Sequence, residues 1–337
     1  MSKYVNFVST YEEDFLEVDP KEFNNDSDGF AKYCLTDIYG LLYFKNKENE
    51  KPISFFRHVN PNTIRFAGFT ELGDDCLSPQ KGGYHHEDIA QKETIMDSYK
   101  KLSKSPVIYG FSSDNPHMKY EFFLDHVDVE ESDFFKATLY QIPVTIIDHN
   151  SIFPPMSQIS QPCLISGLYE GKEVIGLGSY DRYFMPKNIN KDMGEDLGYI
   201  CASVSGIRDD GRYELAIVTI NFPNKQCGIY WLEGEKPIIS YQVSMKADWQ
   251  PLPYVDDGTY VYKNATFEFE NVILHVNGKW GTKGFTKEPR IERHGQSQIF
   301  GTWYVGKKAY KHIISNSFIE NMNCYENILK ENGLIDD

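Results

Sequence analysis

What the chain lacks narrows the field first. Cysteine is sparse and dispersed: the six residues Cys34, Cys76, Cys163, Cys201, Cys227 and Cys324 form no C-x-x-C pair. Neither a metal knuckle nor a disulfide framework is indicated, and the thiols read as reduced, small packing residues. Positive charge is short as well. Thirty-four Lys and Arg face 49 Asp and Glu, a net charge of −15, which repels phosphate backbones and anionic headgroups. The densest basic run, KWGTKGFTKEPRIER from Lys279 to Arg293, carries two glutamates, so nucleic acid is not expected as a partner. No stretch approaches the roughly 18 apolar residues that a membrane-spanning helix needs. The start, MSKYVNFVSTYEEDF, places acids where a signal peptide needs positive charge followed by an apolar run. A soluble, cytoplasmic protein is the expectation.

Signature motifs are also missing. The chain has no G-x-G-x-x-G, no G-x-x-x-x-G-K-[ST] and no G-x-S-x-G, and no organic cofactor is implied. Three histidine-bearing segments contain metal-ligand types: GGYHHEDIA with His85 and His86, LDHVD with His126, and IDHNS with His149. His86 with Asp88 and His126 with Asp128 have His-x-Asp spacing, but H-E-x-x-H is absent, and a pattern so short arises by chance. In YHHED the acids equally well cap a following helix. No metal is assigned.

What is abundant is aromatic residue and turn chemistry. Twenty-three Tyr and 22 Phe favour strands and apolar cavities. Runs such as LLYFK (41–45), ISFFRH (53–58), YEFFLDHVDV (120–129), FKATLYQI (135–142), YICASVSGI (199–207), YELAIVTINF (213–222), TFEFENVILHV (266–276) and SQIFGTWYVG (297–306) recur between turn residues, the pattern of antiparallel β architecture. YEGKEV, RDDGRY, LEGEKP, VDDGTY and VNGKW supply glycines for tight hairpins. Only 88–103 and 315–332 read as helices, the second ending at Gly333. Neighbouring strands without crossover helices exclude Rossmann and TIM folds. The three prolines of the turn-rich stretch 143–161 mark the best domain boundary. The expected fold is mostly β, two lipocalin-like barrel or sandwich halves with a C-terminal helix: an N-terminal β domain over 1–155 and a second over 156–337.

Two constellations carry polar chemistry. In GKEVIGLGSYDRYF (171–184), strand alternation puts Asp181 and Tyr183 on one face and Tyr180 and Arg182 on the other. If the Asp181 face lines an apolar barrel interior, desolvation raises the carboxyl pKa and makes a proton donor; the competing reading is a strand-end ion pair of Asp181 with Arg182. In IERHGQSQIFGTW (291–303), His294 is a second proton carrier beside Gln296, with Trp303 as a cavity wall, or else an exposed histidine before a strand whose tryptophan packs in the core.

The stretch QPCLISGLYEGKEVIGLGSYDRYF, with DDGRYELAIVTI and the closing RHGQSQIFGTWYVG, resembles the tandem lipocalin-like proteins that include carotenoid 1,2-hydratase, kievitone hydratase, the AttH-type proteins and some fungal Diels-Alderases. In the hydratase branch a strand ends in Tyr-x-Asp-x-Asn-Trp, whose Asp protonates an alkene. The resemblance places that acid at Asp181, with Tyr180 directly before it and Tyr183-Phe184 in place of Asn-Trp. It implies two β halves with an apolar cavity between them. The reading is a cofactor-independent enzyme that hydrates, isomerises or cyclises a hydrophobic small molecule such as a terpenoid, polyketide or flavonoid-like compound. Asp181 would be the acid, Tyr180, Tyr183 and His294 its helpers, and Trp231, Trp303, Arg182 and Gln296 the substrate contacts. The alternatives are a non-catalytic carrier of the same ligands and a carbohydrate-active β-sandwich.

Overall fold

The computed structural model describes residues 6–9, 35–45, 51–60, 63–72, 109–114, 117–123, 125–149, 157–184, 198–222, 225–252, 258–281, 296–306 and 310–336. Among the described residues twenty strands fall into two sheets, one of eleven strands and one of nine. By contact density the chain divides into two units, the first built mainly on residues up to Ile189 and the second mainly on Asn190–Asp337. Each sheet is a lipocalin-like meander in which sequence neighbours pair antiparallel.

The first sheet contains β1 (Asn6–Ser9), β2 (Leu35–Phe44), β3 (Ile53–Asn60), β4 (Thr63–Glu71), β5 (Tyr109–Asp114), β6 (His117–Phe122), β7 (His126–Glu131), β8 (Phe135–Gln141), β9 (Val144–His149), β10 (Ser157–Tyr169) and β11 (Lys172–Phe184). Its order is β4-β3-β2-β11-β10-β8-β7-β6-β5, with β9 against β10 and β1 parallel to β9. The long strands β10 and β11 therefore sit in the middle of the first sheet. They are joined by a two-residue turn in which Glu170 (φ 49°) and Gly171 (φ 73°) both take the left-handed conformation that a tight hairpin requires.

β10 changes partner halfway: residues 163–169 pair with β8 and 157–160 with β9. The break falls at Gln161-Pro162, where proline has no N–H to give. The buried Gln161 amide fills it, donating to the Ile142 and Val144 carbonyls at 3.0 Å each.

This sheet curls on itself. Arg57 on β3 reaches β7, five strands away in the order, with Nε and Nη2 at 2.8 and 2.6 Å from the two Glu131 oxygens, and Tyr120 donates its hydroxyl to the same carboxylate. Phe55 and Phe135 meet across the same interior with centroids 5.5 Å apart. Around them pack Ile38, Leu42, Phe122, Val127, Leu139, Ile165 and Tyr180.

The second sheet contains β12 (Tyr199–Arg208), β13 (Tyr213–Asn221), β14 (Lys225–Leu232), β15 (Ile238–Ser240), β16 (Ser244–Pro251), β17 (Tyr260–Phe269), β18 (Val272–Gly281), β19 (Gln296–Val305) and β20 (His312–Met322). The order β15-β14-β13-β12-β20-β19-β18-β17-β16 pairs the first strand of the unit with its last. Phe269 on β17 presses on Gly228 of β14, where a Cβ would lie 2.6 Å from its ring, so this sheet curls too. Its interior holds Ile200, Val204, Val218, Tyr262, Phe267, Leu274, Trp303 and Ile319. A short helix, α1 (Glu326–Glu331), follows β20.

Several sequence expectations change. The region 315–332 is not one helix: it is the strand β20 to Met322 and then α1. Both faces of that strand are buried, Ser317, Ile319 and Asn321 on one side and Phe318, Glu320 and Met322 on the other among residues mostly hidden from water. A strand covered on both faces shows no period-2 alternation and mimics helical spacing. YEFFLDHVDV is two strands, β6 and β7, and TFEFENVILHV is the β17–β18 hairpin turning at Glu270, φ 47°. Conversely VNGKW is no turn. Asn277 and Gly278 lie inside β18 at a bulge, and a Cβ on Gly278 would come within 2.6 Å of Ile299. The expected helix 88–103 lies outside the described residues.

The Arg57–Glu131 pair gives a direct test. Removing one partner of a buried pair leaves an uncompensated charge, a loss of about 3–5 kcal/mol. Arg57→Met should lower stability in chemical denaturation by that amount, and adding Glu131→Gln should recover much of it.

Candidate functional site: the Asp181 face of the first sheet

β11 is pinned against β2 by glycine. A Cβ on Gly178 would stand 2.0 Å from the Tyr39 carbonyl oxygen and 2.9 Å from the Gly40 Cα, so no larger residue fits and the two backbones close up. Beyond this point the alternation of β11 separates its polar pair. Tyr180 faces the interior, edge-on to Phe122 at 5.6 Å, and its hydroxyl accepts from the Gln141 amide. Asp181 faces the other way, so the face expected to line the barrel interior is the opposite one, because alternation gives the interior to Tyr180.

Asp181 is 3% exposed. It shares its face with Leu41 and Leu177, neither with any accessible surface. Ser179 Oγ donates to its Oδ1 at 2.7 Å and Tyr39 Oη to its Oδ2 at 3.1 Å. In register, Asp37 stands directly opposite on β2 and Ser160 directly opposite on β10. Burial pushes the Asp181 carboxyl up to about 6, assisted by the charge of Asp37, against hydrogen bonds from Ser179, Ser160 and Tyr39 that pull it down. The acid form of Asp181 therefore persists to about pH 6, well above the range of an ordinary aspartate.

The other sequence candidates are distributed as follows. Tyr180 is adjacent in sequence but on the opposite face, and its hydroxyl is engaged in the interior. Arg182 and Tyr183 are strand residues of β11 and Gln296 opens β19, but their side chains, and all of His294, lie outside the described residues. Trp231 and Trp303 belong to the second unit and to opposite faces of its sheet. Trp303 packs in the interior, whereas Trp231 pairs with Leu215 on the other side. Both are buried. Of the histidine segments, His126 hydrogen-bonds Asp125 at 2.7 Å and stacks on Phe123. His85, His86 and the His149 side chain lie outside the described residues, among which no group of three His, Cys, Asp or Glu converges as a metal site. Sequence reasoning missed Asp37, Tyr39, Ser160 and Ser179. Asp37 and Tyr39 carried a signal, an acid and a phenol at i and i+2 of an apolar strand; the serines carried none.

No family model and no curated protein sequence matches the chain. Among solved structures it is similar to an AttH-like protein from Nitrosomonas europaea, at 12% identity over 94% of this chain and 99% of that one, with a TM-score of 0.50. A kievitone hydratase from Nectria haematococca aligns at 9% identity over 92% and 93% of the two chains, with a TM-score of 0.45. The first likeness is one of fold, two lipocalin-like halves in tandem.

The raised carboxyl has a signature in stability. Below about 4 Asp181 is protonated folded or unfolded; as pH rises from about 4 to about 6 the unfolded chain ionises first, so the folded state loses stability, by about 3 kcal/mol over a two-unit shift. Asp181→Asn does not titrate. Its stability relative to the native protein should therefore rise across that window, measured by denaturant unfolding at pH 4.5 and 7.5.

Proposed function

We propose that the protein is an enzyme acting on a hydrophobic small molecule by proton transfer, with the Asp181 carboxyl as the acid. The observation that carries the reading is a carboxyl set on an aliphatic, water-poor face, oriented by three hydroxyls and kept protonated up to about pH 6. Such a group gives a proton to an electron-rich carbon at a pH where an ordinary aspartate cannot. Tyr39 and Ser179 fix the direction of its oxygens. Asp37, whose charge acts on the same carboxyl, stabilises the cation that protonation leaves and takes up the proton that closes the cycle, from a captured water in a hydration or from a neighbouring carbon in an isomerisation. These steps need an acid, a base and exclusion of bulk water. The substrate class is an unsaturated terpenoid, polyketide or flavonoid-like compound, the kind that the leucines beside Asp181 would accept.

The test is to incubate the purified protein with a lipophilic extract and follow bound and free compounds by mass spectrometry. Appearance of a product heavier or lighter by one water, or of an isomer, supports the reading. Asp181→Asn should then cut turnover by about 10²–10⁴ while leaving binding in place, and kcat/KM should fall tenfold per pH unit above about 6 as the acid form is lost. A compound retained unchanged by both forms would make the protein a carrier.

A further inference from the structure

The outer face of the first sheet carries a trench away from Asp181. Alternation on β6, β7 and β8 sends Met118, Tyr120, Val127, Val129, Ala137 and Leu139 into the interior and their sequence neighbours outward. The outward side chains fall into two rows that run across the strands. Lys119, Glu130, Lys136 and Leu168 stand in register on β6, β7, β8 and β10. Glu121, Asp128, Thr138 and Ser166 form the parallel row, two residues along each strand. Between the rows lies a depression of about 400 Å³, floored by the backbone of Val129, Ala137 and Gly167. It crosses four strands, a length of about 14 Å.

Every charge in the trench already has a partner. Lys119 Nζ is 2.7 Å from Glu121 Oε2, Lys136 Nζ is 3.7 Å from Glu130 Oε2, and Thr138 donates to Asp128 Oδ1 at 2.7 Å. An incoming ion of either sign would have to displace one of these, whereas a hydroxyl, which both donates and accepts, can join each of them. Three acids against two lysines, in a chain of net charge −15, oppose an anion in particular. An aromatic ledge runs beside the second row. His126 lies flat on Phe123 with centroids 4.2 Å apart, and Tyr140, in register with His126, tilts toward it at 6.4 Å. Tyr140 is 50% exposed on one side of the trench and Leu168 44% on the other. A single exposed apolar side chain needs no explanation, but a ring and a leucine flanking one polar trench match a ligand with both kinds of surface.

We propose that this trench binds a neutral, linear oligosaccharide with equatorial hydroxyls, such as a β-linked glucan. Such a sugar has an apolar C–H face and a hydroxylated rim. The face is matched by the exposed Tyr140 ring, and the rim by the carboxylates, ammonium groups and hydroxyls that alternate along the two walls. Neutrality is specified by the paired charges, and the linear form by the length of the trench, of which a single sugar ring would fill only one end. The site is separate from the proposed acid. Ser160, opposite Asp181, and Ser166 in the trench share one face of β10 but lie six residues apart, about 20 Å of strand.

The experiment follows the fluorine resonance of Tyr140 in fluorotyrosine-labelled full-length protein, identified by its loss in Tyr140→Phe, during titration with cellotriose. Glucose, trigalacturonate and the glucosamine trimer are the short, anionic and cationic comparisons. The expected result is a saturable shift with cellotriose at a Kd of about 1 mM or below, with glucose and both charged trimers bound at least tenfold more weakly. Tyr140→Ala should weaken cellotriose binding about tenfold, the worth of one aromatic contact, read from the cellotriose proton resonances. Tyr241→Ala, which removes an exposed tyrosine of the second unit, should leave binding unchanged. No movement of the Tyr140 resonance with cellotriose would overturn the proposal and return the trench to a solvated, charged face. A charged trimer bound as tightly as cellotriose would overturn the neutral ligand, and an equal loss in Tyr241→Ala would overturn the placement. The native protein with its four titrants decides the first two of these, whatever the folding of the variants.

Discussion

The constraint on which both sheets depend is the burial of carboxylates in β-structure, and both meet it in the same way. Among the described residues four carboxylates are buried, Glu131, Asp181, Glu214 and Glu320, and each accepts the hydroxyl of a tyrosine: Tyr120, Tyr39, Tyr230 and Tyr199. In every case the tyrosine sits on the adjacent antiparallel strand, two residues from the acid's direct partner. Glu131 opposes Met118, Asp181 opposes Asp37, Glu214 opposes Leu232 and Glu320 opposes Cys201. A diagonal neighbour across two strands is too far for a short side chain and within reach of a phenol. The tyrosine hydroxyl returns part of the hydration that a carboxylate loses on burial, without adding a charge. The abundance of tyrosine thus has a structural reason: it lets a sheet carry acids on its covered faces.

The four acids differ in what else surrounds them, and that difference sets how readily each can exchange a proton. Glu131 is gripped by both arms of Arg57, Glu214 by His312 and Arg208, and Glu320 receives the Gln298 amide at 3.0 Å. Around Asp181 the hydrogen bonds that favour its charge come from hydroxyls, and the neighbouring charge that acts on it is another carboxylate. A carboxylate matched to a guanidinium is fixed as an anion and serves packing. One held by hydroxyls beside a second acid can exchange a proton at modest cost, which is what a general acid must do.

Much of this was legible in the chain. Hairpin glycines at 171, 211, 234 and 258 all take positive φ, so turn chemistry located most strand ends, and the strands around Asp181 were readable as strands. What sequence does not carry is register. Whether Asp181 faces Leu177 or Tyr180 follows from alternation, but that it opposes Asp37, 144 residues earlier, and takes the hydroxyl of Tyr39 depends on which strands become neighbours, and β2 pairs with β11 only because the meander returns on itself. The same gap hid the β20 strand. Its two faces are both covered, one by the interior and one beyond it, so the apolar positions form neither a clean alternation nor a true helical stripe. Asn277-Gly278 read as a turn because glycine serves two needs, positive φ and close approach, and only the packing of Ile299 against β18 distinguishes them.

The placement of the Asp181 carboxyl rests on its neighbour. Tyr180 is the expected helper of the Asp181 acid, and the structure has its ring wedged against Phe122 and its hydroxyl held by Gln141, the last residue of β8. One residue of β11 is thereby anchored in the interior, and the next is left with no freedom except to point the other way. The anchor is itself tied down: Gln161, directly opposite Tyr180 on β10, fills the gap where β10 passes from β8 to β9. A carboxyl whose backbone is fixed from behind loses little entropy when a substrate arrives, and its hydroxyl partners on β2 and β11 are held by the same sheet. A general acid needs orientation to within a fraction of an ångström more than it needs a particular pKa. On that ground the buried Tyr180, held by Gln141, positions the Asp181 carboxyl from behind while Ser179 and Tyr39 fix its oxygens.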